Sequence, residues 1–474
     1  MHRRRILAAG WWRLTTRATL AMALAAALSG GPIAAHAQTA GTPSEGDRPT
    51  LRGAFEAAWA RQPEARALAA RRDAARAQSQ ASRAWTPEPV ALEMSTKTDR
   101  LNRNLGTREY EAGVAIPLWL PGERGRSQTL ADAEGRAVES RITAAQLRVA
   151  STVREAWWTW QRSRADLDAA RGQLDNVRRI ATDVGKRLKA GDLARSDQHQ
   201  AEGAVAAAEA AVAQAEASHT ASLLQLRALA AMPSTAAPID TSGPVAEPEP
   251  SVAATAPGDA DTHAELIALK DRAAVAEGSA ALVAAQSRAN PELTIAATRD
   301  RGAFGESYQQ TFTVGVRIPF GGGSRHDARA ASARADALEL QAQWALERTR
   351  LAAEREAARA RTEAARIQLA AAERRAQLAR ESRGFFDKSF RLGESDLPTR
   401  LRIEAEAADA DRQAARAGIE LAASISAWRQ ALGLLPQRTH SGTPLHEVPP
   451  FPGCAQPCGH PAGRRSAGCR RRRP

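Results

Sequence analysis

The chain has 474 residues, of which 43% are hydrophobic and only 4% aromatic, and its formal net charge is +13. Most of that charge lies at the ends, since five arginines fall in residues 1–37 and seven in residues 437–474. A nucleic-acid-binding protein would carry its basic patch in the folded body, so this class is excluded. Abundant alanine with few aromatic residues favours long, closely packed helices over a large globular core.

The first residues have the pattern of a secretory signal peptide. A basic segment with arginines at Arg3–Arg5 precedes an apolar stretch at residues 18–28, and Ala35–Ala37 provides a small-residue cleavage site. We therefore predict that residues 1–37 are removed and that the mature protein leaves the cytoplasm. No later segment has 18 consecutive apolar residues, so no transmembrane helix is predicted.

Four short segments alternate between apolar and polar residues, which is the period of a β-strand with one apolar and one wet face. They lie at residues 90–97, 110–118, 292–297 and 311–320. We take each strand to span about ten residues, the length that crosses a bilayer when tilted. The polar segments 98–107 and 299–307 are predicted to be loops. The alternation leaves open a soluble sandwich in which two hairpins pack their apolar faces together.

Four strands are too few to close a membrane barrel. An open sheet edge in lipid leaves backbone groups unpaired, and the smallest bacterial membrane barrels use about eight strands. If these strands span a membrane, several chains must pool them, and three chains would supply twelve.

Two long segments without proline, residues 123–189 and 324–391, are predicted to be helices. Each would be roughly 100 Å long if continuous, at about 1.5 Å per residue. Gly191 and Gly393 follow them and suit helix C-caps, and the acidic residues after each glycine suit the start of a returning helix. We therefore predict two long helical hairpins that project from the strand pairs.

The same order of elements occurs twice along the chain. Landmarks recur at a nearly constant spacing, in the pairs Pro87 and Pro291, Asp192 and Asp396, and Pro233 and Pro436. A period of roughly 200 residues is too long for a solenoid, whose units have about 20–50. We predict a signal peptide at 1–37, a first repeat at 38–233, a linker at 234–260, a second repeat at 261–436 and a disordered basic tail at 437–474.

The plan of strand pair, helical hairpin, linker and repetition resembles that of TolC-like outer-membrane efflux proteins. Four short stretches of the second half are similar to the cation-efflux (CzcC-type) branch: Gln286–Leu293, Arg317–Phe320, Phe390–Leu397 and Gln430–Pro436. The resemblance covers about residues 50–436. It implies a mostly α fold with membrane β-strands, in which a duplicated strand pair plus long helical hairpin builds a trimeric 12-stranded β-barrel continued by a periplasmic α-helical barrel.

The resemblance also implies partners and a location. The protein would be a homotrimer in outer-membrane lipid, with its helical barrel in the periplasm, and would work with a periplasmic adaptor (membrane fusion) protein and an inner-membrane RND pump. Its hairpin tips would dock the adaptor through Arg187, Leu188, Gly191, Asp192, Leu193, Arg391, Leu392, Gly393, Glu394, Asp396 and Leu397. Asp192, Glu394 and Asp396 could also form a cation-attracting ring at the tunnel entrance, with ordinary helix capping as the alternative.

Candidate metal ligands occur only in the tail, at Cys454, Cys458, His460 and Cys469. Their spacing misses the usual zinc patterns, so no metal site is predicted there. No Ser-His-Asp, paired-carboxylate or metal-ligand constellation is visible in the body of the sequence. We therefore predict a protein that is not an enzyme and needs no cofactor.

These observations predict the outer-membrane channel of a tripartite, RND-type efflux system, acting as a passive export conduit for heavy-metal cations. Two alternatives stay open. The same type of channel could serve drug efflux or type I protein secretion, or the chain could be a periplasmic coiled-coil scaffold or adaptor without a membrane span. An adaptor would normally have one helical hairpin between β-rich halves, whereas this sequence has two hairpins and two strand pairs.

Overall fold

The computed structural model describes residues 50–230, 246–251, 259–320 and 323–437. The predicted signal peptide, most of the predicted linker and the predicted tail from residue 438 onward, with its cysteines and histidine, lie outside the described residues. The chain divides into two units, Met1–Asp47 and Arg48–Pro474, and all described residues belong to the second.

The first repeat contains four helices and two strands. They are α1 (Leu51–Arg61), α2 (Pro63–Ser82), β1 (Ala91–Thr98), β2 (Arg108–Pro117), α3 (Glu123–Ala190) and α4 (Arg195–Ala230). α1 begins where the Thr50 hydroxyl accepts a hydrogen bond from the Gly53 amide at 3.1 Å, an N-cap contact. α2 begins directly after α1, with Pro63 in its first turn. A proline fits there because the amides of the first turn have no hydrogen-bond partner within the helix.

The second repeat has the same order with one helix fewer before its strands. A short 3-10 turn at Asp259–Thr262 leads into α5 (Ala264–Ala285), β3 (Glu292–Arg301), β4 (Gln309–Arg317), α6 (Gly323–Arg391) and α7 (Leu397–Ala431). The long helices α3 and α6 have 68 and 69 residues, and the returning helices α4 and α7 have 36 and 35. Both predicted long helices are confirmed, each to within one residue at either end.

All four strands form one antiparallel sheet in the order β1-β2-β3-β4. The central pair joins the two repeats, with Arg108 opposite Arg301 at the loop end. β3 therefore extends to Arg301, and the predicted loop at residues 299–307 is wrong in its first three residues. The cause is physical: beyond Ala297 the strand carries polar residues on both faces, so the alternation that identifies a strand is lost.

One face of this sheet is apolar across all four strands. A continuous row runs through cross-strand partners Leu92, Val114, Ile295 and Val314. The face is exposed, with Met94 77% and Phe312 73% accessible. The soluble sandwich left open by the sequence is therefore wrong, because no second layer covers the apolar face in the described part of the chain. The outer edges of β1 and β4 are unpaired in a single chain.

The two helical hairpins, α3 with α4 and α6 with α7, pack against each other through α3 and α7. The main core joins α1 to these hairpins and includes Phe55, Trp157, Trp160 and Leu226. Trp157 and Trp160 meet edge-on, with 5.3 Å between ring centroids, so these rings serve packing. Within the described ranges, none of the helices combines the length and the apolar character that a membrane span requires.

A buried ion cluster fixes residues 246–251, a described piece of the linker, against the helices. Glu247 accepts two hydrogen bonds from Arg154 of α3, both 2.9 Å, and lies 3.3 Å from Arg429 of α7. All three side chains are at most 4% exposed. Burial lowers the pKa of the Arg429 guanidinium, and the nearby Glu247 carboxylate opposes that shift. The cluster ties the first repeat to the second.

Candidate functional site: the inner sheet face and the hairpin tips

The face of the sheet opposite the apolar one carries small and polar side chains. Because strand residues alternate between faces, one row across it consists of Glu93, Gly113, Ala296 and Thr313. A second row, nearer the loops, consists of Lys97, Glu109, Asp300 and Gln309. An apolar outer face with a polar inner face is the pattern of strands that separate lipid from an aqueous lumen. We call this polar surface the inner face.

Carboxylates outnumber cations on the inner face. Its acidic residues are Glu93, Glu109, Glu111, Glu292 and Asp300, and its basic residues are Lys97 and Arg317. Both cations are used in ion pairs, Lys97 with Glu109 at 3.4 Å and Arg317 with Glu292 at 3.6 Å. Among the described residues, the other three carboxylates have no basic partner.

None of these carboxylates is among the site residues predicted from the sequence. The signal that finds them is the polar half of the strand alternation, since the same pattern that places Leu92 toward lipid places Glu93 toward the lumen. Whether a given carboxylate has a basic partner depends on which residues lie opposite it in the sheet. That register cannot be read from one strand alone.

Each helical hairpin turns at a glycine in the left-handed region of backbone space. Gly191 has a φ of 86°, and the amide of the next residue, Asp192, donates to the Arg187 carbonyl at 2.9 Å. The second tip repeats the turn at Gly393, with a φ of 78°. A residue with a Cβ adopts this conformation only with strain. The predicted capping role of both glycines is confirmed.

The two tips share one apolar core. Phe390, at the end of α6, is 2% exposed and lies in a cluster drawn from both hairpins. The other buried members are Ile180, Val184, Ala201 and Leu397. The tips of the two repeats are therefore packed on each other within one chain.

Charged contacts reinforce this junction. Arg400 of α7 lies 2.7 Å from Asp387 of α6 and 3.3 Å from Asp183 of α3, so it bridges the two hairpins. Its guanidinium also stacks over the Phe390 ring, 4.7 Å from the centroid. Arg187 donates to the Phe390 carbonyl at 3.0 Å. Any separation of the tips must break the Arg400–Asp183 and Arg187–Phe390 contacts, which join one hairpin to the other.

The predicted docking residues differ in accessibility. Those exposed at the tips are Gly191, Asp192, Arg391, Leu392, Gly393, Glu394 and Asp396. Those half-buried are Arg187, Leu188 and Leu193. Leu397 is only 2% exposed and packs inside the tip core, so its side chain is not available to a partner.

Asp396 has a structural role of its own. It is the N-cap of α7, and its carboxylate accepts a hydrogen bond from the Thr399 amide at 3.1 Å. Hydrogen bonds from the side chain and backbone of Thr399 lower the pKa of this carboxyl group. Asp396 therefore caps a helix, which is the alternative to its membership of a cation-attracting ring. Asp192 and Glu394 are exposed carboxylates beside the two turns.

Comparison with known proteins assigns the first repeat to a family. Residues 54–231 match the model of the family described as outer membrane efflux protein. No curated protein sequence matches the chain significantly.

Solved structures share the fold over most of the chain. VceC from Vibrio cholerae is 18% identical with a TM-score of 0.65, and the match covers 81% of this chain and 96% of VceC. CusC is 16% identical with a TM-score of 0.67, over 81% of this chain and 92% of CusC. The outer-membrane channel OprN is 20% identical with a TM-score of 0.66, over 82% and 90%. At these identities the likeness establishes the fold.

An exposed apolar sheet face, a polar inner face and paired helical hairpins define a subunit of an outer-membrane channel. The first repeat matches the outer membrane efflux protein family and solved channels share the fold over most of the chain, in line with the resemblance seen in the sequence. Channels of this family are trimers that work with periplasmic adaptors and inner-membrane RND pumps, and they are passive conduits, not enzymes. The predicted outer-membrane location agrees with this match and with the solved channels, and a scaffold without a membrane span is not supported. These comparisons do not single out the cation-efflux branch.

Proposed function

We propose that the protein is the outer-membrane channel of a tripartite, RND-type efflux system and that its cargo is heavy-metal cations. The observation that carries the choice of cargo is the inner face of the sheet, where Glu93, Glu111 and Asp300 have no basic partner among the described residues. Three subunits would pool twelve strands and repeat these carboxylates around one lumen.

Carboxylates that line a lumen attract cations and repel anions, because low-dielectric walls focus their field. No group of three or more metal-ligating side chains occurs in the part of the chain that the structure describes. Each carboxylate can therefore attract a cation without enclosing it in a chelating site. Passage requires such weak binding, since a tightly held ion leaves slowly. The energy for export would come from the inner-membrane pump.

Ion selectivity in planar lipid bilayers tests the cation lumen. We expect the reconstituted trimer to prefer cations in a salt gradient, and we expect the variant Glu93→Gln/Glu111→Gln/Asp300→Asn to lose severalfold in its cation-to-anion permeability ratio. Lys97→Gln is the matched control. It should raise the cation-to-anion permeability ratio, because it removes a positive charge from the same face. An unchanged reversal potential in the triple variant would refute the proposed role of these carboxylates.

Growth assays test the cargo in cells. In a strain without redundant channels, loss of this protein should reduce tolerance of metal salts and leave tolerance of drugs unchanged. Unchanged metal tolerance with increased drug sensitivity would favour the drug-efflux alternative, and loss of a secreted protein would favour type I secretion.

We also propose that the exposed residues of both tips form the adaptor-docking surface. Leu392 is 74% exposed, so it is the large apolar side chain at the tips that a partner can bury. Asp192 at the first tip and Glu394 at the second add exposed carboxylates, and Arg187, Leu188 and Leu193 are half-buried. Leu397 is left out of this surface because it is buried.

A substitution at Leu392 tests this surface. Leu392→Ser should reduce co-purification of the periplasmic adaptor from cross-linked cells, while the trimer itself stays intact. Leu224→Ser is the matched control, since Leu224 is 57% exposed on α4 and about 40 Å from the tip at 1.5 Å per residue. Equal adaptor recovery with both variants would rule out Leu392 as a docking residue.

A further inference from the structure

Three arginines share the apolar face of the sheet at its loop end. Arg108 of β2 lies directly opposite Arg301 of β3, and Arg299 lies one row below, opposite Tyr110. Strand alternation places all three on the same face as Val114. The basic residues thus point toward the lipid side, whereas the carboxylates at this end of the sheet point toward the lumen.

These arginines have no counter-charge within the described residues. None of the ion pairs found there includes Arg108, Arg299 or Arg301. The nearby loop carboxylates are engaged elsewhere, because Asp99 accepts from the Leu105 amide at 2.6 Å and Glu306 accepts from two backbone amides at 2.9 and 3.0 Å. Like charges directly opposite each other destabilise a strand pair, so this arrangement calls for an anion from outside the chain.

Two of the guanidinium groups, those of Arg299 and Arg301, are held in place before any anion arrives. The ring of Tyr308 lies 4.8 Å from Arg299 and 5.1 Å from Arg301, measured from ring centroid to guanidinium carbon. Arg301 also donates through Nε to the Gly106 carbonyl at 3.1 Å. Such stacking and bonding reduce the entropy lost on binding and leave other N–H groups to donate to phosphate oxygens.

The length of the strands places the arginines at the outer interface. Phe320, 87% exposed, marks the helix-side end of the apolar band, and ten residues earlier Gln310 lies opposite Arg299. An extended chain of that length spans about 33 Å, or about 25 Å along the membrane normal at a tilt of about 40°. This is about the height of the apolar band of outer-membrane barrels, so Arg299 reaches headgroup level.

We propose that Arg108, Arg299 and Arg301 bind the phosphate groups of phosphorylated lipids in the outer leaflet of the outer membrane. The inference rests on the proposed channel function, which turns the strand loops toward the cell exterior. Lipid is the source of the phosphate because the arginines adjoin the apolar face directly, so acyl chains can pack on Val114 and Ile295 beneath a bound headgroup. Planar guanidinium groups suit paired hydrogen bonds to phosphate oxygens.

Native mass spectrometry of the detergent-solubilised trimer tests the lipid site with diphosphorylated lipid A as the probe. We expect saturable binding, and we expect at least tenfold weaker binding for Arg108→Gln/Arg299→Gln. Arg317→Gln is the matched control, because Arg317 lies on the inner face and its loss should leave lipid A binding unchanged. Dephosphorylated lipid A should bind weakly to all variants, and millimolar inorganic phosphate should not displace the lipid.

Thermal unfolding gives a second readout. Without lipid A, Arg108→Gln should unfold at the same temperature as the unsubstituted protein or higher, because it removes the repulsion with Arg301. With diphosphorylated lipid A, the unsubstituted protein should unfold at a higher temperature than Arg108→Gln, because bound ligand stabilises the folded state. A trimer that binds phosphorylated and dephosphorylated lipid A equally, or whose binding the double variant does not weaken, would overturn the lipid site alone. A protein that forms no trimer would overturn the channel function as well.

Discussion

Glu247 is the residue whose loss should disturb the junction of the two repeats most. Its carboxylate is the only anion in the buried cluster formed with Arg154 and Arg429, so Glu247→Gln leaves two buried guanidinium groups without a counter-charge. Breaking a buried ion pair in this way costs about 3–5 kcal/mol of unfolding free energy. Guanidinium-induced unfolding of the detergent-solubilised protein, followed by helical circular dichroism, measures the loss.

The same segment offers a matched control for that change. Glu249 pairs with Arg366, but these side chains are 50% and 39% exposed, so water and salt screen the pair. Glu249→Gln should cost less than about 1 kcal/mol. Similar losses for the two variants would contradict the special role of Glu247.

The cap at Asp396 makes the second tip sensitive to acid. Hydrogen bonds from Thr399 lower the pKa of its carboxyl group in the folded state. The resulting stabilisation is complete above the ordinary pKa of an aspartate and is lost as the pH falls through the lowered value. We expect amide protection factors at the start of α7 to fall on acidification, and to stay constant in Asp396→Asn, which keeps a capping side chain. Hydrogen exchange followed by mass spectrometry measures both, and identical pH responses would argue against the cap.

At the scale of elements, Arg400 helps to hold the two hairpin tips together, and in the proposed channel these joined tips would narrow the periplasmic entrance. Arg400→Ala removes the bridge to Asp183 and Asp387, so the tips should part more easily and the single-channel conductance in planar bilayers should rise severalfold. Arg402→Ala is the control, because its partner Glu406 lies on the same helix and the pair is exposed. An unchanged conductance of an intact Arg400→Ala trimer would show that other contacts hold the tips.

The elements were predictable where one local signal dominates. The long helices were found to within a residue because proline is absent from them and Gly191 and Gly393 end them with a left-handed turn. α1, α2 and α5 were not predicted, since alanine-rich segments between turns carry little periodicity. The end of β3 was missed because Arg299 and Arg301 continue the strand through pairing with β2, a contact that local sequence does not encode.

At the scale of the whole molecule, the unpaired edges of β1 and β4 and the exposed apolar face require partners. After outer-membrane fractionation, we expect the mature protein to need detergent for extraction and to have a native mass of three chains. Twelve pooled strands remove every open edge, which a single chain cannot do. Recovery of a folded, salt-extractable monomer would contradict the pooled barrel.

The plan of the whole molecule could be predicted from its internal repetition, but the sites could not be predicted to the same extent. Arg154 and Glu247 are 93 positions apart, and only the folded packing of α3 against the linker brings them together. Leu397 sits in a tip sequence that suggests exposure, yet the core shared by both tips buries it. The uncompensated carboxylates of the inner face depend on cross-strand register, which is a property of the sheet.

The position of the two repeats in one polypeptide has a consequence for how the sequence can evolve. In a ring of three chains, the β2–β3 seam is closed within each chain, whereas β4 of one subunit must meet β1 of the next. A substitution at either seam can be compensated by a second change in the same gene, because all three subunits are copies of one chain. The seams differ in how they form, since the first closes as one chain folds and the second closes only when separate chains meet. We therefore expect homologous sequences to vary more along β2 and β3 than along the paired edges of β1 and β4, because a weakened contact between chains also lowers the fraction of trimer at low subunit concentration.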